Sequence, residues 1–383
     1  MNTDPAADEQ SADASPTSRT HAAARRADRA VYLASHPVLF ALLAATRHRP
    51  LLRVGRTVLV HHPEAYREIL TRVPLDRTAE HTTGGTAARL TGTGLLFDQS
   101  GSEHRGARRE LAALLGSDGV TRLRPLWQPM LDGHLGAEPV DLVPLARRMA
   151  GATAAALTGS TADPVVLAAA AERAAAATAR AHLPSPLPRP GTARRARRAA
   201  DELTALLPDP RDAMLAVAAV NTTLAALPRA AAWCARAGLW ARTGPELTAD
   251  LLRLTAASPV LPRVAAADAV VLGHRLRRGD RLLLVARHAA EAHRDTPADP
   301  RLATQAPFGL GPHACPGAAL ARAQLTDLLD ALAPYRPRVR HAEPARHSAL
   351  PSYRRLVLEP SVHDPAPTPP APTAWEDSRQ CPH

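Results

Sequence analysis

The stretch PFGLGPHACPGAALAR, residues 307–322, places Cys315 in a loop bounded by glycine and proline, directly ahead of an alanine-rich segment. Gly309 and Gly311 admit backbone conformations closed to other residues. Pro316 suits the first position of a helix, where its missing N–H costs nothing. A helix starting near Gly317 would aim its free N–H groups and positive dipole end at the Cys315 sulfur. That setting predicts a thiol of lowered pKa. Three uses for such a thiolate stay open: a nucleophile, a redox thiol or a metal ligand. No neighbouring cysteine supports exchange, since the other two are Cys234 and Cys381. A lone cysteine is also commonly an inert core residue.

The elements that must position this loop are mostly helical. Residues 1–29 carry no apolar periodicity and read as a disordered tail, as does the proline-punctuated segment 362–383. Between them, residues 30–361 read as one domain, mainly α with minor β. PLLRVGRTVLVHH reads as two short strands around Gly55, followed by a helix from Pro63. The glycine- and threonine-rich segment 81–104 is a long loop of the kind that carries function. Helical segments follow from His104 onward, and AMLAVAAVNTTLAAL is expected to end at Pro228. AVVLGHRL and DRLLLVARH read as strands split at Arg278-Gly279. The apolar run VYLASHPVLFALLAA is interrupted by His36-Pro37 and too short to span a bilayer, so it reads as a core-packing helix.

Composition narrows the function classes. The formal net charge is +11, yet all 47 basic residues are arginine and no lysine occurs. Isoleucine appears only as Ile69, and asparagine only as Asn2 and Asn221. A coding bias against AT-rich codons accounts for this better than a polyanionic partner. No nucleic-acid reader motif accompanies the charge, and aromatics at 3% are too few for a stacking platform. Three cysteines make no disulfide framework in 383 residues, and the polar, acidic N-terminus is unlike a secretory leader. A cytoplasmic protein that binds neither nucleic acid nor membrane is expected.

The whole string Phe308-x-x-Gly311-x-His313-x-Cys315-x-Gly317, followed by Ala318-Ala319-Leu320-Ala321-Arg322, resembles the cysteine loop of the cytochrome P450 family. The resemblance implies that fold, with haem b buried between the long central helix and the loop. It implies Cys315 as axial ligand of the iron, where thiolate electron donation favours O–O cleavage. Phe308 would shield the sulfur and His313 would reach a haem propionate. His104-x-x-x-Arg108 looks like the family's early-helix propionate contacts, although a solvated helical face reads the same. Arg263, after Pro262, is similar to a third. Two arginines and two histidines on two carboxylates make charge-assisted sense.

Three departures from the family pattern bear on function. The core Glu-x-x-Arg pair appears as Asp250-Leu-Leu-Arg253, which keeps the charge and can still pair, with Arg301 as a further candidate partner. The oxygen-activating segment reads Ala218-Ala219-Val220-Asn221-Thr222-Thr223, so the hydroxyl of Thr222 is present and the acid is an amide. An amide hydrogen-bonds but carries no proton. The chain is also short between Arg108 and Asn221, which implies trimmed lid helices, and ARRARRAA at 193–200 would lie on one of them as a solvated face.

The resemblance implies a monooxygenase-type oxidoreductase acting on a small, largely apolar metabolite, as in specialised metabolism. Ferredoxin and ferredoxin reductase would supply electrons. The pocket would draw on the 81–104 loop, Ala218–Thr223 and residues 258–264. Asn221 suits peroxide use, substrate-assisted protonation or a rearrangement as well as simple drift. A rival reading is a non-oxidising relative that helps another biosynthetic enzyme, and a third is a haem-based gas sensor. The complete set of Cys315, His313, His104, Arg108 and Arg263 opposes a mere scaffold, and no output domain supports a sensor.

Overall fold

Alanine, leucine and arginine dominate the chain, all three good helix formers, and helices carry most of the structure. A computed structural model describes residues 16–80, 82, 84–85, 101–136, 138–182 and 190–361. In its first half the helices are α1 (Pro16–Ser35), α2 (Pro37–Ala45), α3 (Pro63–Arg72), α4 (Gly101–Leu115), α5 (Ser117–Leu123), α6 (Gln128–His134) and α7 (Leu142–Thr158). Then follow α8 (Pro164–His182), α9 (Thr192–Thr204), α10 (Ala213–Ala237), α11 (Pro245–Thr255), α12 (Ala286–Ala289), α13 (Pro300–Gln305) and α14 (Ala318–Leu332).

The largest sheet has the order β1-β2-β8-β5-β3, from β1 (Leu51–Val54), β2 (Thr57–Val60), β3 (Leu75–Asp76), β5 (Leu261–Ala265) and β8 (Arg281–Leu284). Gly55 turns β1 into β2 at φ +59°, as its position predicts. AVVLGHRL is not one strand. It folds on Leu272-Gly273 into a separate hairpin of β6 (Ala269–Val271) and β7 (His274–Leu276), because Gly273 takes φ +77°. A third sheet joins β4 (Val140–Asp141), β10 (Tyr353–Glu359) and β9 (Arg338–Pro344).

Two sequence expectations fail, for one reason. Helix α10 runs through Pro228 to Ala237, where Gly238 caps it at φ +68°. Proline removes one intrahelical bond, but nearly every side chain from Leu224 to Cys234 is buried, so packing holds the turn. This is also the one described helix long and apolar enough to cross a membrane, and it serves here as core. Likewise α1 begins at Pro16, inside the stretch 1–29 expected to be disordered. Residues 1–15 and 362–383 lie outside the described residues.

Asp28 explains why α1 is ordered. Its carboxylate accepts from Arg229 Nη2 at 2.7 Å and from Arg287 Nη1 at 2.9 Å, with the Arg229 side chain wholly buried. Both guanidiniums lie over the Tyr32 ring, at 4.4 and 4.1 Å from its centroid. A buried ion pair adds little net stability, but losing one partner strands a charge. Asp250 and Arg253 do pair, at 2.6 Å. Arg301 does not join them; the other Arg253 donors go to the carbonyls of Ala290, Glu291, Arg294 and Asp295.

A second polar knot ties the large sheet to the helices. His61 Nδ1 lies 2.8 Å from His288 Nδ1, and His61 Nε2 lies 3.1 Å from Thr46 Oγ1. Thr46 spends its single proton on the Leu42 carbonyl at 2.8 Å. It must therefore accept from His61 Nε2–H, which leaves His61 Nδ1 to accept from His288. Both rings are neutral. Burial first, then neighbouring cations, push the pKa of His61 down to about 4 and that of His288 to about 3.

Replacing Asp28 by Asn leaves two buried guanidiniums short of a counter-charge, and thermal denaturation should show a loss of about 3–5 kcal/mol. Acid should also weaken the fold through the histidine pair. Unfolded histidine binds a proton below about pH 6.5, while the folded rings resist it. Stability should thus fall as the pH drops from there towards about 4, with no further contribution from these groups below their folded pKa values. In His288→Gln the urea midpoint should depend less steeply on pH in that window; an unchanged slope contradicts the neutral pair.

Candidate functional site

The Cys315 loop is built by short-range bonds. Pro307 and Phe308 close a 3₁₀ turn (Ala306–Phe308), Gly309 follows at φ +74°, and a second 3₁₀ turn spans Gly311–His313. Cys315 N–H donates to the Phe308 carbonyl at 2.7 Å, which ties the loop across its base. Tyr66 of α3 donates its hydroxyl to the Ala306 carbonyl at 2.7 Å. Gly311 sits at φ +71° against the end of α3, where a Cβ would lie 2.8 Å from the Leu70 carbonyl oxygen. Glycine is required there on both counts.

Helix α14 starts at Ala318 with Gly317 as its N-cap, so Pro316 precedes the cap and does not take the first helical position. Cys315 is exposed on one side and crowded by protein on the others. That crowding pushes its thiol pKa up, against the opposing pull of the Gly317 N–H and the charges of Arg108 and Arg322. The expected lowering is therefore corrected: helix end and arginines together do not offset desolvation. The Arg322 guanidinium stacks over the Phe308 ring, 4.6 Å from its centroid, so the two side chains form a wall beside the loop.

Four of the predicted residues gather next to the cysteine. Arg108 of α4 donates to the Ala314 carbonyl, one residue before the thiol. His104, one turn earlier, is buried, and its ring lies 4.1 Å from that of His313. Arg263 on β5 is charged against burial, which holds its pKa below the usual arginine value. Its Nη1 reaches only the Pro262 carbonyl, at 2.8 Å. Burial, then the charges of Arg77, His104, Arg263 and Arg108, push the pKa of His313 down to about 3. Burial followed by Arg77 and Arg108 lowers that of His104 as well.

Sequence reasoning missed Arg77. It follows β3, whose Leu75 and Asp76 face Ala265 and Val264 of β5. Just past the end of β3, Arg77 lies close enough for its charge to lower the pKa of both His104 and His313, a proximity that no spacing in the chain reveals. The group thus holds three arginines and two histidines, and among the described residues every titratable group that acts on His313 is basic. Among the described residues, Arg263 Nε and His313 Nδ1 are buried with no hydrogen-bond partner. The buried guanidinium N–H of Arg263 asks for an acceptor, and a dianion with two carboxylates has the charge and the oxygens to supply it. The residues therefore fit a haem, with propionates at the cations and a metal at the exposed sulfur.

Asn221 and Thr222 are not joined to this group by a hydrogen bond. Thr222 Oγ1 donates to the Ala218 carbonyl one turn earlier at 2.7 Å. Asn221 Nδ2 donates to the Val217 carbonyl at 2.9 Å and, across to α8, to the Ala171 carbonyl at 3.4 Å. Helix α10 packs against α14, the helix that leaves the cysteine loop. Most of the 81–104 loop expected at the pocket lies outside the described residues. The 193–200 arginines are exposed on α9 while Ala196, Ala199, Ala200 and Leu203 are buried, as expected for a solvated face.

No family model matches the chain, and no curated protein does. Solved structures do. A six-coordinate cytochrome P450 from Thermus thermophilus is 18% identical with a TM-score of 0.63, over 85% of this chain and 98% of that one. P450BioI, solved with an acyl carrier protein bearing hexadec-9Z-enoic acid, is 16% identical with a TM-score of 0.66, over 86% and 100%. HinD, solved with NMFT and NO, is 24% identical with a TM-score of 0.62, over 83% and 95%. At these identities the likeness concerns architecture, and it extends over nearly the full length of each neighbour: the chain has the cytochrome P450 fold.

Proposed function

We propose that the chain is a haem-thiolate oxidoreductase that performs monooxygenase-type oxidation of a small, largely apolar metabolite in specialised metabolism. The observation that carries this reading is the convergence of Cys315 with three arginines and two histidines, with Arg263 Nε–H buried and without an acceptor among the described residues. Haem b, when bound, would supply thiolate-supported activation of dioxygen. Cys315 would hold the iron; a coordinated metal deprotonates a thiol outright, which overcomes the burial that keeps it protonated. Arg263, Arg108, Arg77, His104 and His313 would hold the propionates. Phe308 with Arg322 would screen the sulfur from water, and Gly317 would donate its N–H to it.

On α10, Thr222 would offer a hydroxyl and Asn221 an amide. The two carbonyls that Asn221 Nδ2 reaches explain what the amide does: it donates to Ala171 and Val217 and so ties α10 to α8. An amide so engaged relays no proton, which favours a reaction with altered proton needs over drift. Electrons would come from a ferredoxin and its reductase, in the cytoplasm; an acidic ferredoxin suits the arginines around the cysteine loop.

The purified chain should contain haem b in near-stoichiometric amount. Removing one partner from a buried charge pair costs about 3–5 kcal/mol, so Arg108→Ala and Arg263→Ala should each lower haem content at matched expression. Full haem retention in both would contradict the assignment of the cations. A carboxyl introduced by Asn221→Asp would face the same two carbonyl oxygens, which favours its protonated form. It would then carry a proton where the native amide carries none. With a surrogate ferredoxin system, reductant consumption should rise by about tenfold or more at unchanged haem content. If the amide suits an unusual reaction, product per electron should fall. Unchanged consumption would sink the proton-delivery argument.

A further inference from the structure

A second concentration of positive charge lies at the other edge of the large sheet. Paired residues put Arg53, Val58, Leu282 and Arg263 in one row across β1, β2, β8 and β5. Arg263 ends that row beside the cysteine loop. Arg53 ends it three strands away, roughly 14 Å at the usual strand spacing. There the β1–β2 turn and the segment after β7 enclose a crevice of about 620 Å³, floored by Leu51, Val58 and Leu276.

The acids in and beside the crevice are already used. Asp280 is buried and accepts from Arg53 Nη1 at 3.0 Å, Arg53 Nη2 at 2.7 Å and the Arg277 N–H at 2.7 Å. Asp268 accepts from the Arg278 N–H at 2.8 Å and from Arg275 Nη2 at 3.4 Å. These bonds shape the turn and leave the guanidiniums of Arg56, Arg277 and Arg278 without a hydrogen bond among the described residues. Gly279, at φ +81°, lets Arg56 lie across it; a Cβ there would sit 2.5 Å from Arg56 Nη2. Two turns thus aim cations at one concave space.

An arginine-rich chain produces basic patches by composition alone, and α9 shows what those look like. Its arginines stand on a convex, solvated face, where Glu202 lies 3.2 Å from Arg198 and 3.6 Å from Arg173. The crevice differs in being walled on two sides, apolar at its base and short of acceptors. Guanidiniums engage phosphate oxygens in bidentate pairs, and the volume is that of a small-ligand site. We propose that this crevice binds an organic diphosphate of nucleotide size, with its phosphates on Arg56, Arg277 and Arg278 and its organic part beside Leu51, Gly55 and His274, which also line the crevice.

Calorimetric titration of the purified full-length chain with ADP and with inorganic pyrophosphate tests this. ADP should bind saturably at one site, more tightly than pyrophosphate, and about tenfold or more weakly in Arg56→Ala and in Arg278→Ala. Both side chains are exposed, and unchanged melting temperatures will show that the variants fold. Binding should persist in the α9 double variant Arg197→Ala/Arg198→Ala. Absence of saturable ADP binding, or equal affinity for pyrophosphate, would overturn the proposal. So would an equal loss in the α9 variant, which reduces the effect to net charge.

Discussion

Arginines crowded around the cysteine loop are the constraint around which this fold is arranged. Arg77, Arg108 and Arg263 keep their charge at any ordinary pH, and His104 and His313 answer by staying neutral. No local sequence preference would assemble such a group, since its arginines repel one another. It is held because its members belong to separate rigid pieces: β3 and β5 of one sheet, helix α4, and the loop tied to α3 through Tyr66 and Gly311. The same arrangement leaves Cys315 open on one side beside the cations, while the protein crowded around the rest of it raises its pKa. Thiol and cations together ask for one partner that carries both a metal and two anionic groups.

The remainder of the molecule supplies the rigidity. Helix α10 is the spine, buried along its second half and packed against α1, α7, α8 and α11. Asp28 anchors α1 to that spine and to α12 through two arginines and one tyrosine ring. The neutral pair of His61 and His288 fixes α12 to the end of β2 through a single shared proton. Each knot joins segments far apart in the chain, and each depends on one proton or one carboxylate.

What could be read from the sequence follows the range of the interactions. The Cys315 loop was legible because its geometry is local: two glycines at positive φ, a 3₁₀ turn and a helix start within a dozen residues. His104 and Arg108 were legible because one helical turn separates them. Arg77 was not, since its place depends on the register between β3 and β5. Neither the order of α1 nor the passage of α10 through Pro228 was legible, because burial against distant segments decides both and overrides local propensity. Strand β10 was hidden by the adjacent arginines 354 and 355, which break the alternation that marks a strand. Asn221 was visible as an oddity, but its bond to α8 needed the structure.

The central claim is that Cys315 binds haem iron through its sulfur. The reduced protein with carbon monoxide reports this directly, because thiolate ligation shifts the Soret band far to the red of the imidazole-ligated position. The wild-type chain should show the shifted band, and Cys315→His should lose it. A shifted band that survives Cys315→His, or a wild-type protein that never shows one, would contradict the account.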